Sequence, residues 1–422
     1  MLPLLILGLS LAPVLCWAAE PKAEEAKAIA EIEKLGGWVV VDEKSPGTPV
    51  IGVTLNAIRP AVAGLKHLTR LANLQSLDLG GTKLAGMTRI ELTDAGLEHL
   101  KGLTNLKSLD LSYTNLTDAG LMHLKGLTKL QSLNLLSTYV SDAGLERLKG
   151  LTTLQSLILD LTNVTDAGLE HLKGMTELQT LGLWHTKITD AGLQHIEGLN
   201  KLKWLNLMST NVTDTGLEHL KGLTALQSLG LGWTKVTGSG LEHLKELTNL
   251  QELNLGQIKL TDAGLSHLKG LTELKWLWLY NTNLTDSGLE HLKGLTKLQS
   301  LELGGTNVTD AGLEHLQGLI NLQSLELHIR MTGAGLKHIK GLTKLQSLNL
   351  GTTEVIDAGL EHLRGFASLQ TLDLHGTKVT DAGLEYLKGL AKLRLLDLGH
   401  NEVTDAGVKD LQQALPNCKI IH

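Results

Sequence analysis

The chain has 422 residues, 42% of them hydrophobic, which is ample for a large core. Its net charge of −6 leaves no basic excess to attract nucleic acid. Aromatic residues are only 3% of the total, so any clustering of them is informative.

In chain order, Leu2 to Leu15 is an apolar run followed by small residues at Ala18 and Ala19. It is too short for a comfortable membrane span and fits the core of a secretory signal, with cleavage after Ala18. Residues 1–18 are therefore expected to be a signal peptide, and any membrane contact to be through that signal or anchor alone. The expected location is extracytoplasmic: periplasmic, cell-surface or secreted. If Cys16 leaves with the signal, Cys418 is the single remaining thiol. That excludes an intrachain disulfide and a cysteine-based metal site.

Glu20 to Leu35 carries Ile29, Ile32 and Leu35 at helical spacing and is ended by Gly36-Gly37. Trp38 to Val41 and Val50 to Leu55 read as two strands joined by a turn rich in Asp, Ser, Pro and Gly. Residues 19–49 thus form a helix-and-hairpin cap, with Trp38 expected in its core. Residues 50–416 then repeat with a usual step of 24 residues, about fifteen turns in all. Such a period means a solenoid, in which one turn buries its apolar face only by stacking on the next. Residues 417–422 are expected to add a last strand as the C-terminal cap, and Pro416 to stop the preceding helix, Val403 to Leu415.

The turn that starts at Leu298 shows the pattern. Leu298, Leu301 and Leu303 mark a short strand whose intervening residues face solvent. Thr309-Asp310 reads as a helix start, the Asp carboxylate accepting from backbone N–H groups two or three residues on. Leu313, Leu316 and Leu319 turn one face of a short helix back onto the strand, and Gly318 is expected to reverse the chain. Threonines at one turn position, among them Thr82, Thr114, Thr138 and Thr377, are expected to form a hydroxyl ladder to the adjacent turn. Ala85 to Leu92 lengthens one turn, His328 to Met331 shortens another, and Gly238 and Gly333 should weaken two helix caps.

This pattern resembles the leucine-rich repeat family, and the V-T-D-A-G-L-E-H-L segment is similar to its cysteine-containing subtype. The resemblance implies an α/β fold: a right-handed horseshoe solenoid with a parallel concave β-sheet, convex short helices and a non-enzymatic binding role. It extends to the substrate adaptors of ubiquitin-ligase complexes, but residues 19–49 are too short for their extra docking domain.

Two residue sets are candidates for chemistry. Twelve histidines, from His67 to His362, hold one helix position. They are expected to be repeated solvent-facing residues and not metal ligands, because neighbours on a convex face diverge while zinc needs convergent nitrogens. Five of the seven tryptophans, Trp184, Trp204, Trp233, Trp276 and Trp278, fall in consecutive turns at variable positions. With His185, Met208 and Tyr280 they are expected to form a concave aromatic patch, with Gly182 and Gly230 leaving room beside the rings. Asp78, Asp110, Glu302, Glu326, Asp373 and Asp397 flank it on the same strand position. The expected role is to bind a protein partner as a monomer; a glycan is the alternative ligand. No catalytic residue, cofactor or metal is expected, since no nucleophile elbow, phosphate loop or zinc spacing occurs.

Overall fold

The computed structural model describes residues 23–55, 61–81 and 92–422. The expected signal, Thr82 and the loop from Ala85 up to Leu92 lie outside the described residues. The chain is a right-handed solenoid in which the short strands of the described residues form one seventeen-stranded sheet. Successive strands pair in sequence order, parallel and in register, so that Leu253, Leu277, Leu301 and Leu325 stand side by side. The exception is the first pair, Trp38–Val41 with Val50–Thr54, which is antiparallel.

Most turns bury the same seven aliphatic positions. In the turn from Leu298, the residues Leu298, Leu301, Leu303, Val308, Leu313, Leu316 and Leu319 are all fully buried. The three-residue spacing of the last three has a consequence for the helix. Side chains eclipse every three residues in a 3₁₀ helix and not in an α-helix. The convex segments are accordingly single α-turns, such as Asp118–Leu121, running into 3₁₀ turns, such as Met122–Leu124. Gly318 does not reverse the chain with a positive φ. The left-handed residue comes instead just after the strand, as at Tyr113, His185, Trp233 and Asn281, with Gly305 and Gly376 taking the same place.

Two expectations about polar side chains are corrected. The threonine hydroxyls donate to the leucine carbonyl three residues back in their own turn, as Thr138 Oγ1 does to Leu135 O at 2.7 Å. Among the described residues this position reaches across at the last two turns: Thr377 Oγ1 donates to Asn401 Oδ1 at 2.7 Å, and the Asn401 amide donates back to Leu374 O at 2.7 Å. The aspartate at the helix start is likewise no local cap. Thr117 is the N-cap, its Oγ1 accepting from Ala119 N, while Asp118 reaches the next turn. Asp118 Oδ1 accepts from Ser141 N at 2.7 Å and Oδ2 from Ser141 Oγ at 2.6 Å. The same bridge runs from Asp94 to Thr117, Asp142 to Thr165, Asp190 to Thr213 and Asp286 to Thr309.

The glycine two residues after each aspartate is explained by this bridge. A Cβ at Gly144 would stand 2.5 Å from Asp118 Oδ1, so only glycine admits the neighbouring carboxylate. Gly238 and Gly333 interrupt the bridge more than they weaken caps. There the helices meet backbone to backbone, Gly238 against Gly264 and Gly333 against Gly359. Ile356 stands where the partner hydroxyl of Gly333 would be, so no hydroxyl is left orphaned.

At the N-terminal end a helix, Ala23–Lys34, buries Ala28 and Ile32 against the first turn. Trp38 is not core: it is 74% exposed. It pairs with Thr54, and Val40 with Gly52, so both project from the concave side of the edge strand. At the other end the helix is Asp405–Ala414, and Lys419–Ile421 pairs parallel with Leu395–Asp397. Cys418 is buried, and burial pushes its thiol pKa up. The shortened turn closes through two tight bonds, Ile329 N to Leu327 O and Met331 N to Ile329 O, with Ile329 and Met331 buried.

Candidate functional site

The concave face is built from the third, fifth and seventh positions of each turn, counted from its first leucine. Alternation along the strand sends leucines inward and these positions outward. The fifth position is a structural column in much of the molecule. Asp78 Oδ1 accepts from Gly80 N, Asp110 from Ser112 N, Asp373 from His375 N and Asp397 from Gly399 N, at 2.8–2.9 Å. Asn134, Asn206, Asn254 and Asn349 do the same with their amide oxygens. A short side-chain carbonyl bracing the turn two residues on is therefore what this column ordinarily supplies.

Three consecutive strands depart from it: Trp278, Glu302 and Glu326 stand side by side in register. Trp278 Nε1 donates to Glu302 Oε1 at 2.8 Å, fixing ring and carboxylate together. Burial, and then the Glu326 charge beside it, push the Glu302 pKa above the usual carboxylate range, against the pull of the indole bond. Glu326 has His328 Nε2 at 3.8 Å.

The aromatic residues form two groups, not one continuous patch. Trp276 and Trp278 share a strand, and Tyr280 follows them. The Tyr280 ring lies over Gly256 and meets Trp233 edge-on, at 5.5 Å and 61°, across two turns. Trp184 and His185 lie further along, ring centroids 6.3 Å apart. Trp204 pairs with Thr180 and Ser228, three strands from Trp276, roughly 14 Å at ~4.8 Å per strand. Met208 covers Gly230, its Cγ 3.0 Å from where a Cβ would stand. The space at Gly182 is occupied by Asp160 Oδ1 and not by a ring. Of the flanking acids, Glu302 adjoins the Trp278 strand and Glu326 stands one strand further on. Asp78 and Asp110 lie toward the N-terminal end, Asp373 and Asp397 toward the C-terminal end.

Asp160 was not visible as a site residue in the sequence. It is only 8% exposed, its Oδ1 accepts from Trp184 N at 2.7 Å, and burial raises its pKa to about 6. Its signal is Ile158: where the bracing column loses its acceptor, an acid two residues on braces the neighbouring turn instead.

The convex histidines are half-buried and face solvent only in part, and Nδ1 of His123, His195 and His291 is buried without a hydrogen-bond partner. Among the described residues no group of three or more His, Cys, Asp or Glu could hold a metal ion. Among them, too, no helix is long and apolar enough to cross a membrane.

Several solved structures share this fold. An internalin (inlF) from Listeria monocytogenes is 22% identical, with a TM-score of 0.60 over 89% of this chain and 95% of that one. The Leptospira interrogans leucine-rich repeat protein LIC12759 is 21% identical, with a TM-score of 0.60 over 84% and 92%. The mouse RP105/MD-1 complex gives 21% identity and a TM-score of 0.58 over 85% of this chain and 61% of that one. Such solenoids are typical of non-enzymatic scaffolds. No curated protein matches the chain. A leucine-rich repeat region model matches residues 185–421, more than half of the sequence, and single leucine-rich repeats match 102–125 and 150–173. The chain belongs to the leucine-rich repeat family.

Proposed function

We propose that the chain is an extracytoplasmic, monomeric scaffold that binds a protein partner on the concave face of its middle repeats. The carrying observation is one of contrast. Most turns place Ser, Thr, Gly or Asn on this face, whereas Trp184, Trp204, Trp276 and Trp278 leave large rings only half-buried there, and Trp233 is 47% exposed at the rim. A covered tryptophan buries ~150–250 Å², and tryptophans are enriched among interface hot spots. The same fold in mouse RP105 is seen in complex with MD-1. The apolar run from Leu2 with Ala18-Ala19 after it supports the extracytoplasmic location, and the V-T-D-A-G-L segments support kinship with the cysteine-containing subtype.

The test is a capture experiment from envelope extract with this chain as bait, beside a variant carrying Trp184, Trp204, Trp276 and Trp278 as Ala with an unchanged melting curve. A protein retained at fixed stoichiometry by the first and lost by the second is expected. Equal retention by both overturns the reading. The half-buried rings beside Glu302 also suit a sugar face, and a tryptophan fluorescence change on adding soluble polysaccharide, with no protein captured, would decide for a glycan.

A further inference from the structure

The concave face is far more one-sided in charge than the chain. The whole sequence balances 38 Lys and Arg against 44 Asp and Glu. Along the described third, fifth and seventh positions from Gly52 to Gly399, Asp160 and Glu252 join the six flanking acids, and no lysine or arginine occurs. Bases stand just before the strands, at Lys107, Lys203, Lys275 and Arg394. Lys203 and Lys275 donate to Gln179 and Gln251 Oε1 at 3.0 and 2.9 Å, and Lys275 Nζ lies 5.9 Å from the Trp276 ring.

Within this face Glu302 and Glu326 are singular. The other fifth-position acids commit an oxygen to the turn, but these two, one methylene longer, take no such bond. They stand on adjacent, in-register strands at about 4.8 Å spacing, and among the described residues no lysine or arginine pairs with either. Trp278, held through its indole N–H, walls one side.

We propose that Glu302 and Glu326 form the seat of an arginine side chain from an extended polypeptide partner, with Trp278 as the wall against which it lies. A guanidinium is planar and carries donors on two edges, so one group spans two neighbouring carboxylates while its face or stem rests on a ring. An ammonium is a point charge and engages the pair less completely. Because no lysine or arginine occupies the described third, fifth and seventh positions, the rest of a cationic segment meets acids and few bases along this face, which also disfavours a phosphate backbone. The proposal rests on the reading of the concave face as the binding surface and adds the chemistry of its ligand.

The probe is the peptide acetyl-Gly-Arg-Gly-Arg-Gly-Arg-Gly-amide, with lysine and citrulline counterparts, titrated into the full chain. The readouts are calorimetry and the indole N–H resonances, Trp278 being identified by its loss in Trp278→Phe. The arginine peptide is expected to bind at least tenfold more tightly than the citrulline peptide, with lysine between. Its affinity should fall as salt is raised, and the Trp278 resonance should move. The double variant Glu302→Gln/Glu326→Gln keeps an acceptor for the indole and should lose at least tenfold, whereas Asp397→Asn, five strands from Trp278, should lose little. Equal binding of arginine and citrulline peptides, an unaffected double variant, or no binding of the arginine peptide at millimolar concentration overturns the proposal. Should the extract yield a partner that the tryptophan variant loses but the double glutamine variant keeps, the binding surface stands and the arginine seat falls. Capture indifferent to the tryptophans removes the surface itself.

Discussion

The helix side and the concave side of each turn follow opposite rules. On the helix side a single device, the carboxylate of one turn taking the N–H and hydroxyl of the next, recurs from Asp94 to Asp381. It is broken at Gly238 and Gly333 and shifted at Asp310, where one oxygen takes both bonds. On the concave side the fifth position alternates between a bracing Asp or Asn and residues that brace nothing, such as Trp278, Glu302 and Glu326. A residue repeated in every turn answers a demand that every turn makes, namely stacking. A residue that breaks the column is free of that demand, which is why recognition is sought there.

The comparison breaks most visibly where the stacking device is damaged. Gly144→Ala should destabilise by about 1–3 kcal/mol, the usual cost of overpacking, because its methyl collides with Asp118 Oδ1, Leu121 and Val140. Asp118→Ala should cost a similar ~1–3 kcal/mol by leaving Ser141 N–H without its acceptor. The double variant should cost less than the sum by about 1 kcal/mol or more, since removing the carboxylate makes room for the methyl. Urea unfolding of the four proteins measures this, and strict additivity would mean that glycine and aspartate do not act on one another.

Asp160 sharpens the contrast from the concave side, being a buried acid that braces a turn at a cost. Its pKa is about 6 in the fold and 3.8 unperturbed. Below the lower value both states hold the proton and nothing is lost. Between the two values the unfolded chain releases it first, so stability falls as pH rises, and above about 6 the loss is complete. A shift of about two units amounts to roughly 3 kcal/mol at neutral pH. Asp160→Asn keeps an acceptor for Trp184 N and should be more stable than the parent at pH 7, with the difference fading toward pH 4. Asp214 and Asp262 work in the other direction. Burial alone would raise them, but hydrogen bonds from Thr237 and Thr285, with Ser239 and Ser287, bring both below the usual range. Their contribution is present at neutral pH and lost as pH falls through those lowered values. A parallel pH profile for parent and Asp160→Asn would show that the carboxyl is not the source.

These residues also show what a sequence carries openly and what it hides. The leucines were legible because burial of one apolar column is large and repeats at fixed spacing, so Leu298 to Leu319 could be placed without any partner in view. Asp310 was misread because its partner, Thr332, is 22 residues away, while plausible local N–H groups lie two or three residues on. The threonines were misread the other way: Thr138 was assigned a distant acceptor when Leu135 O, three residues back, was enough. Trp38 looked like core because it is large and apolar, yet the register with Thr54 turns it outward. The tryptophan positions were legible as exceptions to the repeat. Their division into two groups was not, because it depends on how far Tyr280 leans over Gly256 to reach Trp233.

The smallest effect is expected from the convex histidines, the most regular feature of the sequence. Repetition there tempts a functional reading, but the rule drawn above assigns repeated residues to the architecture. Their half-buried rings lie against the turn, and their polar contacts are with exposed acids such as Glu197 beside His219. Replacing His171, His219 and His267 together by Gln keeps a polar side chain of similar reach. Surface substitutions of this kind fall within about ±0.5 kcal/mol each. The triple variant should therefore melt close to the parent and bind the concave ligand with the parent's affinity, and added zinc should shift the melting of neither protein. A loss of ligand with the fold intact would move recognition to the convex face and reverse the rule, making the repeated residue the functional one and the broken column the bystander.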